Sequence, residues 1–411
     1  MSIATVIPRA HARSPETAPF QARRLTSPDD VASAWNAVAE RGVLTAYQRL
    51  DWIERVIGHL AASARADTLF IEVAERASGQ VIALVPLART RRLGLRTVAW
   101  LDLGVCDYAA PVLAQDRMFG PHEAVAFWAA VRAVLPPADL IQIERIPATV
   151  EGMPNPLAAM PGARPMTMHA SGVAIEGDPA TLLARLCRPS TLKDLGKQRR
   201  RLERAGQVRF TSAGTPGEID DLFGALVEQR RIRFAAMGRF DLLQRPDVRD
   251  FYRDAALMGL RGGAARLLGL SVDGQWIAAA YCLVHRGVLH GLLLTTTSDE
   301  RWRNASPGAQ IVTECLRWAG EQGLHYFDFT VGNHPYKQDF GVEVRELKQY
   351  RAPLTLRGRC VALGLSARES FMETLDRHPG LRLRLQKVRR AVRKIGSGRR
   401  GGEPGKEQGA V

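Results

Sequence analysis

One short pattern occurs twice in this chain, and the elements around it recur in the same order. Residues 79–83 read Gly79-Gln80-Val81-Ile82-Ala83, and residues 274–278 read Gly274-Gln275-Trp276-Ile277-Ala278. Each follows a strand-like run and a turn, and so marks a β-hairpin. After each hairpin come a strand, a loop, a helix and a further strand. The first set runs through "RTVAWLDLG", "PHEAVAFWAAVRAVL" and "ADLIQIERIP". The second runs through "VLHGLLLTTT", "SPGAQIVTECLRWAGEQG" and "LHYFDFTVG". A pattern that repeats together with its surroundings points to a tandem duplication. The expected fold is therefore α/β of the α+β kind: two units, each a mixed, largely antiparallel sheet flanked by helices.

The repeat also sets boundaries. Residues 1–21 read as disordered and 22–150 as the first unit. Residues 151–170, with Pro154, Pro156, Pro161 and Pro165, read as a linker. Residues 171–355 form the second unit and 356–411 a basic amphipathic tail. With 411 residues, each half is long enough to bury a sizeable core.

Charge narrows the partners. Lys and Arg exceed Asp and Glu by 57 to 42, a formal net charge of +15, which favours anionic ligands or surfaces. Ten of the basic residues lie between Arg377 and Arg400, with no acidic residue among them. There Leu381, Leu385, Val388, Val392 and Ile395 fall on one helical face. Such a helix either rests on an anionic membrane or docks on the protein itself. The helix at 190–205 carries Lys193, Lys197, Arg199, Arg200, Arg201 and Arg204, and reads as a solvated basic face. It has no interleaved aromatics and no nucleic-acid-binding motif, so DNA is not an expected partner.

The five cysteines are scattered and form no CxxC, which suits reduced structural thiols and no zinc site. The nine histidines show no metal-ligand spacing, so no metal is expected. The first residues lack the apolar core of a signal peptide. No run of about 18 apolar residues occurs. The expected location is cytoplasmic.

Two stretches carry candidate chemistry. In "YFDFTVGNHPYKQDFG" (326–341), alternation places Tyr326, Asp328 and Thr330 on one strand face and Phe327 and Phe329 on the other. A carboxylate inside a half-buried strand needs a partner or a task. Lys337 follows a glycine turn. Either an Asp328–Lys337 salt bridge pins the loop, or Asp328 acts as base or clamp while Lys337 holds an oxyanion. In Ser306-Pro307-Gly308, serine is a good N-cap and proline suits the first helical position. That helix start is either a structural cap or an anion site.

Taken together, "STLKDLGKQRRRLERAG" and "SPGAQIVTECLRWAGEQGLHYFDFTVGNHPYKQDFG" resemble the CelD-type, cellulose-biosynthesis-associated acetyltransferases. These carry a BioF2-like acetyltransferase domain of the GNAT superfamily. "TAYQRLDWIERV", "VIALVPLARTRRLGLRTVAWLDLGVCDYAAPVLA" and "DLIQIERIP" extend the likeness to about residues 25–355. The "YKQDFG" element is similar to one in the Fem-type peptidyltransferases, which add amino acids to peptidoglycan precursors and are also tandem GNAT folds.

The resemblance implies tandem GNAT-like domains and acetyl-CoA, or another acyl-CoA, as co-substrate, with no permanently bound cofactor. Acyl-CoA would lie between splayed strands 288–297 and 324–330, with its pyrophosphate at the helix starting at Ser306. That implies cofactor-binding roles for Thr295, Thr296, Ser306, Gly308 and Ala309. "ERWRNASPGAQ" stands where the superfamily usually has a Gly-rich loop. Asp328, Tyr336 and Lys337 take the catalytic positions. Asp107, Tyr108, Gln48 and Trp52 fall on the acceptor side, although Asp107-Tyr108 also reads as a turn with a packed tyrosine.

The resulting expectation is an acetyltransferase acting on a sugar-like envelope or exopolysaccharide precursor, cytoplasmic or peripheral to the inner membrane. The alternatives are a Fem-type aminoacyl-tRNA-dependent transferase and a non-catalytic adaptor of a polysaccharide machine.

Overall fold

The structure is a computed structural model that describes residues 18–115 and 117–377. Twelve strands form the main path of one continuous sheet. They are β1 (Phe20–Leu25), β2 (Ala66–Glu75), β3 (Val81–Arg92), β4 (Leu95–Trp100), β5 (Leu140–Pro147) and β6 (Ala163–Ala174). The second half supplies β7 (Val208–Ser212), β8 (Ala265–Val272), β9 (Gln275–His285), β10 (Val288–Thr296), β11 (Tyr326–Val331) and β12 (Glu343–Pro353). Across the sheet they run β1-β2-β3-β4-β5-β12-β6-β11-β10-β9-β8-β7.

The order is a palindrome of the two halves. In each, neighbouring strands are antiparallel except the fourth and fifth: β4 lies parallel to β5, and β10 lies parallel to β11. This is the repeated plan read from the two hairpins. The second hairpin turns through Asp273 and Gly274, both at positive φ, where glycine carries no Cβ penalty.

The middle of the sheet is exchanged between halves. Strand β6 follows β5 in the chain, yet pairs with β11 and β12. Strand β12 follows β11, yet also pairs with β5. Each half thus closes on a strand that the chain delivers from beyond the other, and the two cannot separate without breaking the sheet.

Eight helices matter here: α1 (Pro28–Ala39), α2 (Leu50–Val56), α3 (Pro121–Ala133), α4 (Pro189–Ala205), α5 (Pro216–Met237), α6 (Pro246–Gly259), α7 (Pro307–Glu321) and α8 (Leu356–Arg377). Six of them place proline in the first turn, where its missing N–H is no loss. Helix α5 adds a full capping box between Thr215 and Glu218.

Apolar residues gather in three cores. Phe127 and Trp128 of α3 fill one with the first half's strands. Leu195 and Leu202 of α4 and Ile311, Val312 and Leu316 of α7 fill another with the second half's strands. The third is common to both halves: Trp35 and Trp52 of α1 and α2 meet Phe251 and Tyr252 of α6. The Trp52 and Phe251 rings lie edge to face at 4.8 Å.

Two expectations need correction. Phe20 and Gln21, assigned to a disordered start, begin β1 and pair with Glu75 and Ala74. Phe20 is buried against Phe119, which holds the strand down. The proline-rich linker is largely structured. Thr149–Val150 pairs with Met153–Pro154, and residues 163–170 belong to β6, near the centre of the sheet. Pro156, Pro161 and Pro165 suit this segment because they fall in a short helical turn, a turn and a break in register, while Pro154 ends a two-residue strand. The basic tail begins as α8, which Arg351 ties down through Glu369 at 2.7 Å. The expected helix at 380–396 lies outside the described residues.

Candidate active site

The site forms where β10 and β11 part. They pair over only three positions, Val288–Tyr326, Leu289–Phe327 and His290–Asp328. Beyond these, β10 continues against β9 as far as Thr296, while β11 turns towards β6. The result is a fork open at the carboxyl ends of two parallel strands.

Alternation along β11 works as the sequence suggests up to the fork. Phe327 and Phe329 enter the core shared with α7. Tyr326 and Asp328 face a cavity of about 560 Å3 between the halves. At Thr330 the backbone enters the left-handed region, φ 55°, unfavourable for a β-branched residue. Its groups are all engaged. Its N–H donates to Asp328 Oδ1 at 2.7 Å, and its hydroxyl donates to the Gly291 carbonyl across the fork at 3.0 Å. Its own carbonyl accepts from Lys337. Strain held in this way is found where a site over-determines the backbone.

Asp328 is 2% exposed. The Tyr108 hydroxyl lies 2.9 Å from both its oxygens, and Arg345 Nη2 donates to Oδ2 at 2.8 Å. His290 Nδ1 lies 3.4 Å from Oδ2. Burial alone would raise the carboxyl's pKa. His290, the Arg345 charge and the Thr330 N–H outweigh it and hold the group at about 2. A carboxyl held this low is a weak proton acceptor near neutral pH.

Lys337 does not pair with Asp328. Its ammonium, 3% exposed, donates to the carbonyls of Phe329 at 2.9 Å and Thr330 at 3.0 Å. Burial lowers its pKa to about 8, against the opposing pull of Asp328 and Asp107. The anticipated salt bridge is thus replaced by two backbone contacts, because the turn through Pro335–Phe340 brings the side chain back under the strand end. Tyr336 leaves the other way. It packs 6.5 Å from the Phe329 ring and stacks at 6.0 Å on His334, away from Asp328. Burial pushes its hydroxyl up to about 12.

Residues of the first half complete the site. Tyr108 and Asp107 lie on the loop after β4, the counterpart of the segment after β10. Asp107 sits 3.9 Å from Arg145 and interacts with Thr330. Burial raises its pKa, with Arg145, Thr330 and Lys337 opposing. Gln48 is buried and donates to the Tyr108 carbonyl at 3.2 Å, so it holds the loop. Trp52 is a core residue whose indole N–H meets Cys106 Sγ at 3.4 Å. It does not reach the cavity, so its placement on the acceptor side gives way to a packing role.

The expected donor residues collect at the start of α7. A Cβ added to Gly308 would meet the Thr296 methyl at 3.4 Å. Thr295 is buried with its hydroxyl unpartnered among the described residues. Ser306 occupies the N-cap position in the left-handed conformation, and its side chain makes no capping bond. Instead its carbonyl accepts from Ala309 and Gln310. The side-chain cap expected from Ser-Pro-Gly is absent because the preceding turn, Glu300–Ala305, forces this geometry. Basic helix α4 lies alongside. Arg201 donates to the Asn304 carbonyl at 2.5 Å, and Arg199 pairs with Glu314 of α7 at 2.7 Å.

Two contacts of Asp328 were missed in the sequence. His290 is a lone histidine in the apolar run "VLHGLLL", the same signal that singled out Asp328. Arg345 stands in a charged strand with no pattern to mark it.

The fork between parallel strands thus lies beside a helix start and a strained strand end. Residues 189–338 match the acetyltransferase (GNAT) domain family. Among solved structures the chain is similar to FemX, at 11% identity and TM-score 0.51, covering 79% of this chain and 96% of that one. It also aligns with a tandem GNAT protein from the clavulanic acid biosynthesis pathway, at 16% identity, TM-score 0.44 and coverage of 81% and 98%. A further match is L-PGS from Bacillus licheniformis, at 14% identity, TM-score 0.45 and coverage of 82% and 96%. No curated protein matches the chain.

Proposed function

We propose that the protein is an acyl-CoA-dependent acyltransferase, acetyl-CoA being the first donor to test. It would pass the acyl group to an amine or hydroxyl of a sugar-like envelope or exopolysaccharide precursor. The observation that carries this reading is the fork itself. A narrow pantetheine arm fits between β10 and β11, with phosphates at the start of α7 beside the basic face of α4. The cavity at Asp328 lies where the acceptor would meet the thioester. Lys337 then serves as the cation near the developing oxyanion, and Asp328 and Tyr108 orient the acceptor.

A Fem-type transfer from aminoacyl-tRNA is the second reading, favoured by the likeness to FemX and by the same basic helix. Calorimetry with acetyl-CoA and with a charged tRNA separates the two. Contact with an anionic membrane through residues 377–411, and a cytoplasmic location beside polymer-exporting machinery, belong to this proposal. No helix among the described residues is long and apolar enough to cross a membrane.

Two expected results follow from the geometry. Gly308→Asp puts a carboxylate at the start of α7, where a Cβ meets only ordinary contact. KM for acetyl-CoA should rise about tenfold at unchanged melting temperature, since acidic groups favour helix starts and phosphates would be repelled. An unchanged KM places the donor elsewhere. Asp107→Asn removes one of the two anions that hold Lys337 up. The alkaline limb of the pH–rate profile should move to lower pH, and an unmoved limb would separate Lys337 from turnover.

A further inference from the structure

We propose that His290 is the general base that takes the acceptor's proton, and that Asp328 is the carboxylate that positions it. This rests on the acyl-transfer reading and deepens it. Several ionisable side chains meet near the fork, and Asp328, Tyr108 and Lys337 among them are already engaged. Asp328 already receives the Tyr108 hydroxyl, Arg345 and the Thr330 N–H. The Tyr108 hydroxyl donates its hydrogen bond to that carboxylate, whose charge disfavours a phenolate. Lys337 is turned to two backbone carbonyls and does not line the cavity.

His290 is different. It lines the cavity, and its Nδ1 is buried 3.4 Å from Asp328 Oδ2. That nitrogen has no hydrogen-bond partner among the described residues. A neutral imidazole has one N–H and one lone pair, and the carboxylate settles which nitrogen keeps the proton. With Nδ1–H towards Asp328, the lone pair of Nε2 is left for the cavity. The 3.4 Å separation is long for a hydrogen bond, as such contacts often are before substrate draws them in. The Tyr47 and Tyr108 rings stand edge-on at 5.9 and 6.5 Å and restrict the imidazole's rotation.

Register supplies a second, independent reason. His290–Asp328 is the last paired position before β10 and β11 separate. Gly291 follows, so the next position on β10 adds no side chain to the opening. The imidazole therefore stands at the base of the fork, between the acceptor cavity and the space for the thioester.

The step balances without any further reagent. The acceptor nitrogen or oxygen attacks the thioester carbonyl carbon while its proton passes to Nε2. A C–N or C–O bond forms, and collapse of the adduct breaks the C–S bond. The imidazolium returns its proton to the departing thiolate. Acylated acceptor and free thiol leave, and the histidine ends neutral.

Nitrogen-15 spectra of the full chain test the tautomer, and thiol release from acetyl-CoA with glucosamine as acceptor probe tests the role. The expected spectrum shows Nδ1 protonated and Nε2 bare, with the two tautomers mixed in Asp328→Asn. His290→Ala should slow thiol release about 100-fold or more. Acetyl-CoA affinity and melting temperature should hold, and added imidazole should restore part of the rate. An Nε2–H tautomer, a wild-type rate in His290→Ala, or a loss that tracks unfolding and ignores imidazole would each overturn the assignment. Failure of the wild-type protein to bind acetyl-CoA or release thiol has a separate signature. It removes the acyl-transfer reading itself, and this assignment with it.

Discussion

Lys337→Ala should lower turnover about 100- to 1,000-fold, the usual cost of losing one oxyanion stabiliser, while the protein stays folded. The ammonium sits at the strand end beside the fork, and its pKa of about 8 gives the prediction a pH signature. If the charged form is required, wild-type activity declines as pH rises through about 8. The same group links pH to stability. Its folded pKa lies below the ordinary 10.5, so the unfolded chain binds more protons between about 8 and 10.5. Its contribution to stability therefore rises across that window and is lost again as pH falls through 8. The shift is on the order of 3 kcal/mol. Lys337→Met should remove that rise. Activity that merely follows the folded fraction would make Lys337 a structural residue.

Asp328→Ala should produce the largest loss of stability, about 3 kcal/mol. Breaking a buried ion pair typically costs about 3–5 kcal/mol; Arg345 is half-exposed, which favours the lower figure. The change also strands the Tyr108 hydroxyl and the Thr330 N–H. Asp328→Asn keeps the shape and isolates the charge. The folded carboxyl titrates near 2, below its ordinary 3.8. Its contribution is complete above about 3.8 and disappears as pH falls towards 2. Denaturant titrations of wild type and Asp328→Asn should therefore differ most at neutral pH and converge in acid. A gap that stays constant down to pH 2 would mean that the charge is not what Asp328 supplies.

Much of this architecture was legible locally. Hairpins and the order of strand, helix and strand follow from turn residues and periodicity, which need no distant partner. Asp328 stood out because a carboxylate in an apolar strand is costly anywhere. What the sequence hid depends on contacts between remote segments. The exchange of β6 and β12 places Arg345 beside Asp328, and nothing near either residue encodes that crossing. The strand-like alternation through 326–330 was extended to Thr330, where the backbone instead turns left-handed. That turn, with the helical segment after it, is why Lys337 meets carbonyls and Tyr336 leaves the site. Ser306 had the composition of a cap but sits in a turn that denies its side chain the geometry. Trp52 had an aromatic's appeal as a binding residue, and burial between the halves claimed it.

Calorimetric titration of the full chain with acetyl-CoA tests the central claim most directly. The account predicts one micromolar site per chain, weakened in Gly308→Asp and kept in His290→Ala. No heat of binding to the folded wild-type protein, or binding untouched by Gly308→Asp, would contradict an acyl-CoA site in the fork between β10 and β11.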